Sequence, residues 1–378
     1  MKVGYVTTYD PSNVINWSGL GTYIARALQM QGIELQHIII RRNPLVPIVR
    51  ARTKNLTAKF RHLRYPIYRA PGVLSAYARQ VHDALERSDV DLVFSPGSLP
   101  ITNVDSDRPL VFWTDATFAA MVGFYPEYSN LTPEAVRDGN RADQEALSRA
   151  AAAIYGSNWA AGSAIRDYGA DPDRIHVVPF GPNVEKDFSR EEVAAFVSAR
   201  PTNRCNLLFI GVDWHRKGGD VAVATADVLR RAGVQVRLDV VGCKPPRATP
   251  EFVRLHGFLS KQSTRGKDAL LSLLREAHFL LLPSRAEAFG LAPIEAASVA
   301  VPALVSKVGG LAEVVRDGVA GYALPPDASP EQYAERILAA LDPASYRELA
   351  LSAFNEYQTR LNWRVAGSKV ASILRDVM

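Results

Sequence analysis

The sequence predicts an α/β protein made of two doubly wound domains, and three observations carry that expectation. Short apolar runs alternate with helical periodicity from end to end, the pattern of parallel strands joined by crossover helices. The length, 378 residues, is too great for one ordinary core and suits two. Midway, Pro179-Phe180-Gly181-Pro182-Asn183 interrupts any helix or strand and marks a boundary.

In the first domain, residues 1–183, strands are expected over 2–8, 35–40, 91–95, 110–114, 153–156 and 175–178. Helices are expected over 21–31, 76–87, 134–149 and 159–168. A polar stretch then runs to residue 204. The second domain, residues 184–361, restarts the alternation with strands over 207–212, 236–242, 253–257, 279–283 and 303–306. Its helices span 220–232 and 267–276 or begin at 290 and at 311. Trp363, Val365, Val370, Ile373, Leu374 and Val377 recur at helical spacing, so segment 362–378 reads as a terminal helix able to pack back on the first domain. Two such sheets facing each other would place a ligand cleft at the carboxyl ends of their strands.

The composition, 47% apolar and 22% charged, is that of a soluble globular chain, and no run of 18 apolar residues offers a membrane span. The first residues read as a core strand rather than a signal peptide, which leads to an expectation of a cytoplasmic protein. Cys205 and Cys243 lack the spacing of a zinc or redox pair and read as core residues. A net charge of +5 is too small to imply nucleic acid, and no recognised reading module accompanies it. Its distribution says more. Residues 41–80 hold ten Lys or Arg and no Asp or Glu, interleaved with Tyr65, Ile67, Tyr68, Val73, Leu74 and Tyr77. Such a stretch fits peripheral contact with an anionic membrane surface or an anionic acceptor. It equally fits a solvated loop balanced by the acids of residues 81–185.

The densest chemical signal is the run from Pro283 to Ala297. It leaves a strand, crosses a loop holding Glu287 and Gly290, and enters a helix with Pro293 in its first turn. Helix-leading N–H groups there favour an anion. Glu295 is the only charged residue between Glu287 and Lys307, and a carboxylate in so apolar a run needs a hydrogen-bonding partner. Sugar hydroxyls are suitable partners, because a carboxylate accepts two at once. A solvated helix entrance is the plainer alternative for Glu287, and a water-facing helix for Glu295. Arg216 and Lys217 follow the first strand of the second domain and precede Gly218-Gly219 and a helix, a place where two cations and helix amides can hold a diphosphate.

With these residues in view, the chain resembles the family 4 (group 1) retaining glycosyltransferases, which have the GT-B fold. Glu287 and Glu295 match the family's Glu-x7-Glu motif. The likeness extends over Gly211, Arg216-Lys217-Gly218, Val241-Gly242, His256-Gly257, Val308 to Val314, Gly318 and Gly321. It implies a nucleoside diphosphate sugar as co-substrate, with neither a metal nor another cofactor. It also implies that Glu287 contacts the donor sugar, Glu295 the ribose, and Phe289-Gly290-Leu291 the sugar and phosphates, with Gly21 and Gly257 also on the donor. Val212 stands where the family usually has an arginine, a charge that Arg216 can replace.

In the first domain, Gly19-Leu20-Gly21-Thr22-Tyr23 lies between the first strand and first helix. It lacks the third glycine of a dinucleotide fingerprint but fits the family's acceptor-side loop, with Gly19, Thr22 and Tyr23 as acceptor contacts. Asp115 ends a strand where the family often places a hexose-contacting His or acid, and it could instead cap the turn that follows. Three Asp-x-Asp pairs (Asp89/Asp91, Asp105/Asp107, Asp171/Asp173) do not follow strands as a metal-holding pair would. The expectation is a retaining hexosyltransferase acting on a saccharide or lipid-linked saccharide in bacterial surface glycan synthesis. A GT-B sugar-nucleotide epimerase and a non-catalytic sugar-nucleotide-binding subunit remain open.

Overall fold

The computed structural model describes residues 1–14 and 16–378. Its contacts divide the chain into two units, Met1–Phe180 with Trp363–Met378, and Gly181–Asn362.

The first unit holds a parallel sheet of β1 (Lys2–Thr7), β2 (Glu34–Ile39), β3 (Leu92–Ser95), β4 (Leu110–Thr114), β5 (Ala152–Tyr155) and β6 (Ile175–Val177), in the order β2-β1-β3-β4-β5-β6. The inner strands β3, β4 and β5 are buried along their whole length, which is why they read as unbroken apolar runs. Around the sheet lie α1 (Leu20–Gln29), α2 (Leu45–Lys59), α3 (Pro71–Leu85), α4 (Phe118–Met121), α5 (Pro133–Arg149) and α6 (Asn158–Tyr168). Local chemistry sets their ends. Thr132 and Ser157 cap α5 and α6 by accepting the N–H of Ala135 and Ala160, and Gly169 closes α6 at a φ of 63°.

The second unit contains α7 (Arg190–Ala199), β7 (Cys205–Ile210), α8 (Gly219–Arg231), β8 (Val236–Val241), β9 (Val253–Gly257), α9 (Thr264–Glu276) and β10 (Phe279–Leu282). After these come α10 (Leu291–Ala297), β11 (Ala303–Ser306), α11 (Leu311–Val314), β12 (Gly321–Leu324), α12 (Pro330–Ala339) and α13 (Pro343–Thr359). Its parallel sheet has the order β12-β11-β10-β7-β8-β9, that of a Rossmann domain. The last helix, α14 (Trp363–Asp376), belongs to the first unit. Trp363 lies 6.0 Å from the rings of both Tyr23 and Trp113, and Gly367 rests on the Ala27 carbonyl where a Cβ would not fit.

Two stretches differ from expectation. The polar run before residue 204 contains α7, started by a reciprocal capping box between Ser189 and Glu192. The basic stretch 41–80 is largely helical, as α2 and α3, rather than a loop, and two of its cations meet acids of residues 81–185, Lys54 at Glu134 and Arg69 at Asp143. Among the described residues no helix is long and apolar enough to cross a membrane. Both cysteines are buried and unpaired, and burial pushes the Cys205 thiol up to about 12.

At the amino-terminal ends of β7, β8 and β10 a cavity of about 540 Å³ is lined in part by Arg200 and His278. His278 Nδ1 accepts the Asn206 N–H at 3.0 Å, so Nε2 carries the proton and donates to the Pro201 carbonyl at 2.9 Å. Burial and the nearby Arg200 cation push its pKa down from 6.5 to about 4. Below pH 6.5 the unfolded chain binds a proton that the folded site refuses. Stability is therefore undiminished above about pH 6.5 and falls toward pH 4, by up to roughly 3 kcal/mol. Urea unfolding of the wild type and of His278→Gln near about pH 7 and about pH 4.5 checks this: the variant should lose less on acidification. Equal losses would contradict it.

Candidate active site

The second sheet reverses between β7 and β10. After β7 the chain adds β8 and β9 on one side, then returns to add β10, β11 and β12 on the other. Open parallel sheets bind ligands in the crevice at such a reversal, beyond the carboxyl ends of the strands, so the cavity at the opposite ends is not the candidate. The loops 211–218 and 283–290 leave β7 and β10 there and carry Arg216, Lys217, Glu287 and Gly290.

Hydrogen bonds tie the two loops together. The Arg285 N–H donates to the Arg216 carbonyl at 2.7 Å, and Arg216 Nη1 donates to the Ala286 carbonyl at 2.9 Å. The Arg285 guanidinium forks onto Asp220 at 2.9 and 2.7 Å and holds that carboxyl below its usual range. Gly218, at a φ of 77°, lies against the Pro283 carbonyl, where a Cβ would overlap the oxygen.

Held this way, Lys217 Nζ donates to Glu287 Oε2, and Arg216 Nη1 stands 3.6 Å from the same oxygen. The three side chains are only 12–15% exposed, so two cations share one carboxylate in a largely dry site. A diphosphate would complete that charge set, and desolvated cations act on it more strongly than hydrated ones. Two of the amides expected beside them, at the start of α8, are already used. Gly218 and Gly219 donate to the His215 and Trp214 carbonyls at 3.1 and 2.9 Å. These two amides are therefore not open to an anion, and the two cationic side chains stand beside them.

Gly290, at a φ of 99°, begins α10 with no side-chain cap. Phe289 before it is buried and Leu291 after it is half-buried. Glu295, one turn on, is 1% exposed. The sequence leaves its partner to a ligand, but the chain supplies one in the Lys261 ammonium, from the loop after β9. That lysine is 34 residues away, too far for any local pattern to announce. Gly257 ends β9 at a φ of 65° with open space over its Cα, two strands from the reversal. Val212 is exposed just past β7, and the guanidinium in the cluster is that of Arg216.

The first sheet reverses between β1 and β3. A cavity of about 350 Å³ opens at the carboxyl ends of β1, β3 and β4, lined by Tyr9, Arg42, Tyr68, Gly97 and Asp115 among others. Asp115 accepts the Trp17 indole N–H at 3.4 Å, and the cap of α4 is Thr117. Gly19 caps α1 at a φ of 88°. Thr22 and Tyr23 are corrected as side-chain contacts of an acceptor. Thr22 is buried with its hydroxyl on the Pro11 carbonyl at 2.5 Å, and Tyr23 is stacked on Trp363. Gly21 is also covered: its carbonyl accepts the Tyr5 hydroxyl at 2.6 Å, and Tyr9 occupies the space over its Cα, which excludes direct donor contact unless Tyr9 moves. Tyr9, which no motif singled out, carries a buried hydroxyl without a partner among the described residues, and burial raises its pKa to about 12.

Two family profiles match the chain. The profile described as Glycosyl transferases group 1 matches residues 204–343, and that of Glycosyltransferase Family 4 matches residues 19–186, together about four fifths of the chain. The chain belongs to the family 4 (group 1) glycosyltransferases. Among curated members, the D-inositol 3-phosphate glycosyltransferase of Acidothermus cellulolyticus is 32% identical over 227 residues, 56% of this chain and 50% of the relative. The chain thus spans about half the length of the first curated relatives it matches. Sucrose-phosphate synthase from Thermosynechococcus elongatus shares the fold with a TM-score of 0.72 at 16% identity, over 100% of this chain and 98% of that one. Anabaena HepE in complex with UDP and glucose does so with a TM-score of 0.65 at 17% identity, over 100% of both chains. This family 4 chain therefore has two Rossmann-like domains of the GT-B class.

Proposed function

We propose that the chain transfers a hexose from a nucleoside diphosphate sugar to a hydroxyl of a saccharide or lipid-linked saccharide, with retention at the anomeric carbon. The observation that carries this reading is the cluster of Arg216, Lys217 and Glu287 at the reversal of the second sheet. The bond between the anomeric carbon and the diphosphate oxygen breaks, and its electron pair leaves with the diphosphate. The acceptor oxygen bonds to that carbon and passes its proton to the departing diphosphate oxygen. Arg216 and Lys217 neutralise the departing charge, Glu287 positions the sugar, and Glu295 takes the ribose hydroxyls in place of Lys261. Retention and these contacts follow the family resemblance.

HepE in complex with UDP and glucose supports a nucleotide sugar donor. The cavity holding Asp115, Tyr9 and Arg42 is the acceptor site in this reading, with Asp115 at the hexose. Surface glycan synthesis on the cytoplasmic side of a bacterial membrane is the setting it suits. A panel of nucleotide sugars incubated with and without saccharide acceptors, followed by mass spectrometry, tests the proposal. Transfer that requires an acceptor is expected. Release of an isomerised nucleotide sugar without acceptor would make the chain an epimerase, and binding without turnover would make it a non-catalytic subunit.

A further inference from the structure

The cations of residues 41–80 do not form one surface. Arg69 is turned inward, with its guanidinium on Asp143 at 2.8 Å, and Arg42 lies over the Tyr68 ring at 4.4 Å beside the cavity of the first sheet. Lys54 pairs with Glu134 at 2.6 Å. Of the other seven, Arg41, Arg64 and Arg79 lie off α2, whereas Arg50, Arg52, Lys59 and Arg61 are exposed on α2 or just beyond it, with no carboxylate partner among the described residues.

The helix that carries them has three distinct sectors. Ile48, Ala51 and Ala58 face inward and join the core with Tyr65, Val73 and Leu74. Leu45, Val46, Val49, Leu56 and Phe60 are exposed, Leu45 and Phe60 to 77% and 81%. At about 100° per residue, these five fall in one arc about 100° wide. Arg52 and Lys59 border that arc on one side, and Arg50 and Arg61 on the other. The opposing inner face explains why a core-facing periodicity is weak here: the helix is apolar on two sides at once.

Exposed aliphatic and aromatic side chains in one stripe, interrupted by Thr53 with its hydroxyl turned onto the Val49 carbonyl at 3.1 Å, mark a surface that is covered in use. Charge decides what covers it. A second copy of the same face would bring two cationic borders together, and residues 41–80 contain no acid to relieve them. A bilayer with anionic headgroups satisfies both sectors, because long cationic side chains reach up to phosphates while the apolar arc enters the acyl boundary. We propose that α2 is a membrane-docking helix, inserting Leu45, Val46, Val49, Leu56 and Phe60 into an anionic bilayer surface with Arg50, Arg52, Lys59 and Arg61 on its headgroups.

The position has a consequence for the acceptor. α2 packs on α3 and on the 67–69 turn, and Tyr68, Arg69 and Tyr77 from these elements line the cavity of the first sheet. A docked α2 places that cavity one packed layer from the lipid surface, within reach of an acceptor anchored there. The docking face itself does not depend on the donor reading, and vesicle binding is measured without turnover.

The full chain is sedimented with vesicles of phosphatidylcholine alone and of phosphatidylcholine with about a third phosphatidylglycerol. Binding to the anionic vesicles only is expected, weakening in about 1 M salt, where the Debye length is about 3 Å. Leu56→Glu/Phe60→Glu should lower the vesicle partition at least about tenfold while keeping the thermal midpoint, since both side chains are exposed. Arg50→Gln/Lys59→Gln should lose part of the preference for anionic lipid. Absence of vesicle binding by the wild type, or unchanged binding by Leu56→Glu/Phe60→Glu, would overturn the proposal. So would a concentration-dependent dimer in light scattering that the same double variant abolishes.

Discussion

Glu287→Gln is expected to lower kcat by about a hundred- to a thousandfold, the range for removing one preorganised electrostatic contact from a transition state. Its carboxylate is shared by Lys217 and Arg216 in the ligand-free site, and in the proposed complex the diphosphate takes over both cations. Freed of them, the carboxylate can meet the positive charge that grows on the sugar ring as the glycosidic bond breaks. Glutamine keeps a hydrogen-bond acceptor but not the charge. Donor binding should therefore be unchanged or tighter, because two cations then face the diphosphate without a competing anion. The cost in unfolding free energy should stay within about 1–3 kcal/mol, that of a perturbed buried hydrogen bond. Steady-state kinetics and urea unfolding of one preparation separate these effects. A variant that loses stability in step with activity would make Glu287 a structural residue.

Lys217→Met should produce the second large effect, a loss of about a hundredfold or more in kcat/KM for the donor. Methionine retains an unbranched stem, which matters because the Lys217 stem packs against Gly211 so closely that a Cβ there would strike its Cγ. The change is thus mainly one of charge. Arg216 stays, held by the Ala286 carbonyl, and gives residual neutralisation. Arg216→Ala should cost less alone than Lys217→Met, and the double variant should cost less than the sum, since both cations act on one diphosphate. Additive losses, measured from donor kinetics, would show that the two act on separate groups.

Legibility followed burial. Strands covered on both faces, such as β4 and β10, stand out as continuous apolar runs, and the Rossmann order follows from their alternation with helices. The loop signals were equally local: Gly218 and Gly290 mark left-handed turns beside Lys217 and Glu287. What escaped depends on distance or on an unusual surface. Lys261 reaches Glu295 from another loop, and Tyr9 enters the first cavity without any motif. Thr22 and Tyr23 sit in a loop-like sequence, yet the turn that begins α1 points both side chains into the core, a matter of helix phase that glycine spacing does not reveal. α7 was hidden by its polar exterior, although Ser189 and Glu192 have capping-box spacing. β12, α12 and α13 carry no motif beyond Gly321, so the sequence sets no expectation for them. Yet Ser329 with Gln332 makes another capping box, and Asp342 accepts the Ser345 N–H to start α13.

In the proposed function the second domain holds a nucleoside diphosphate sugar through the cations at its sheet reversal. Thermal and urea unfolding of the wild type and Lys217→Met with UDP-, GDP-, ADP- and TDP-sugars test it directly. At about a hundred times Kd, a ligand of the native state adds about 2.7 kcal/mol. The wild type should gain that much from at least one nucleotide sugar, and Lys217→Met should gain far less at the same concentration. Failure of every nucleotide sugar to stabilise the wild type, or equal stabilisation of the variant, would contradict the account.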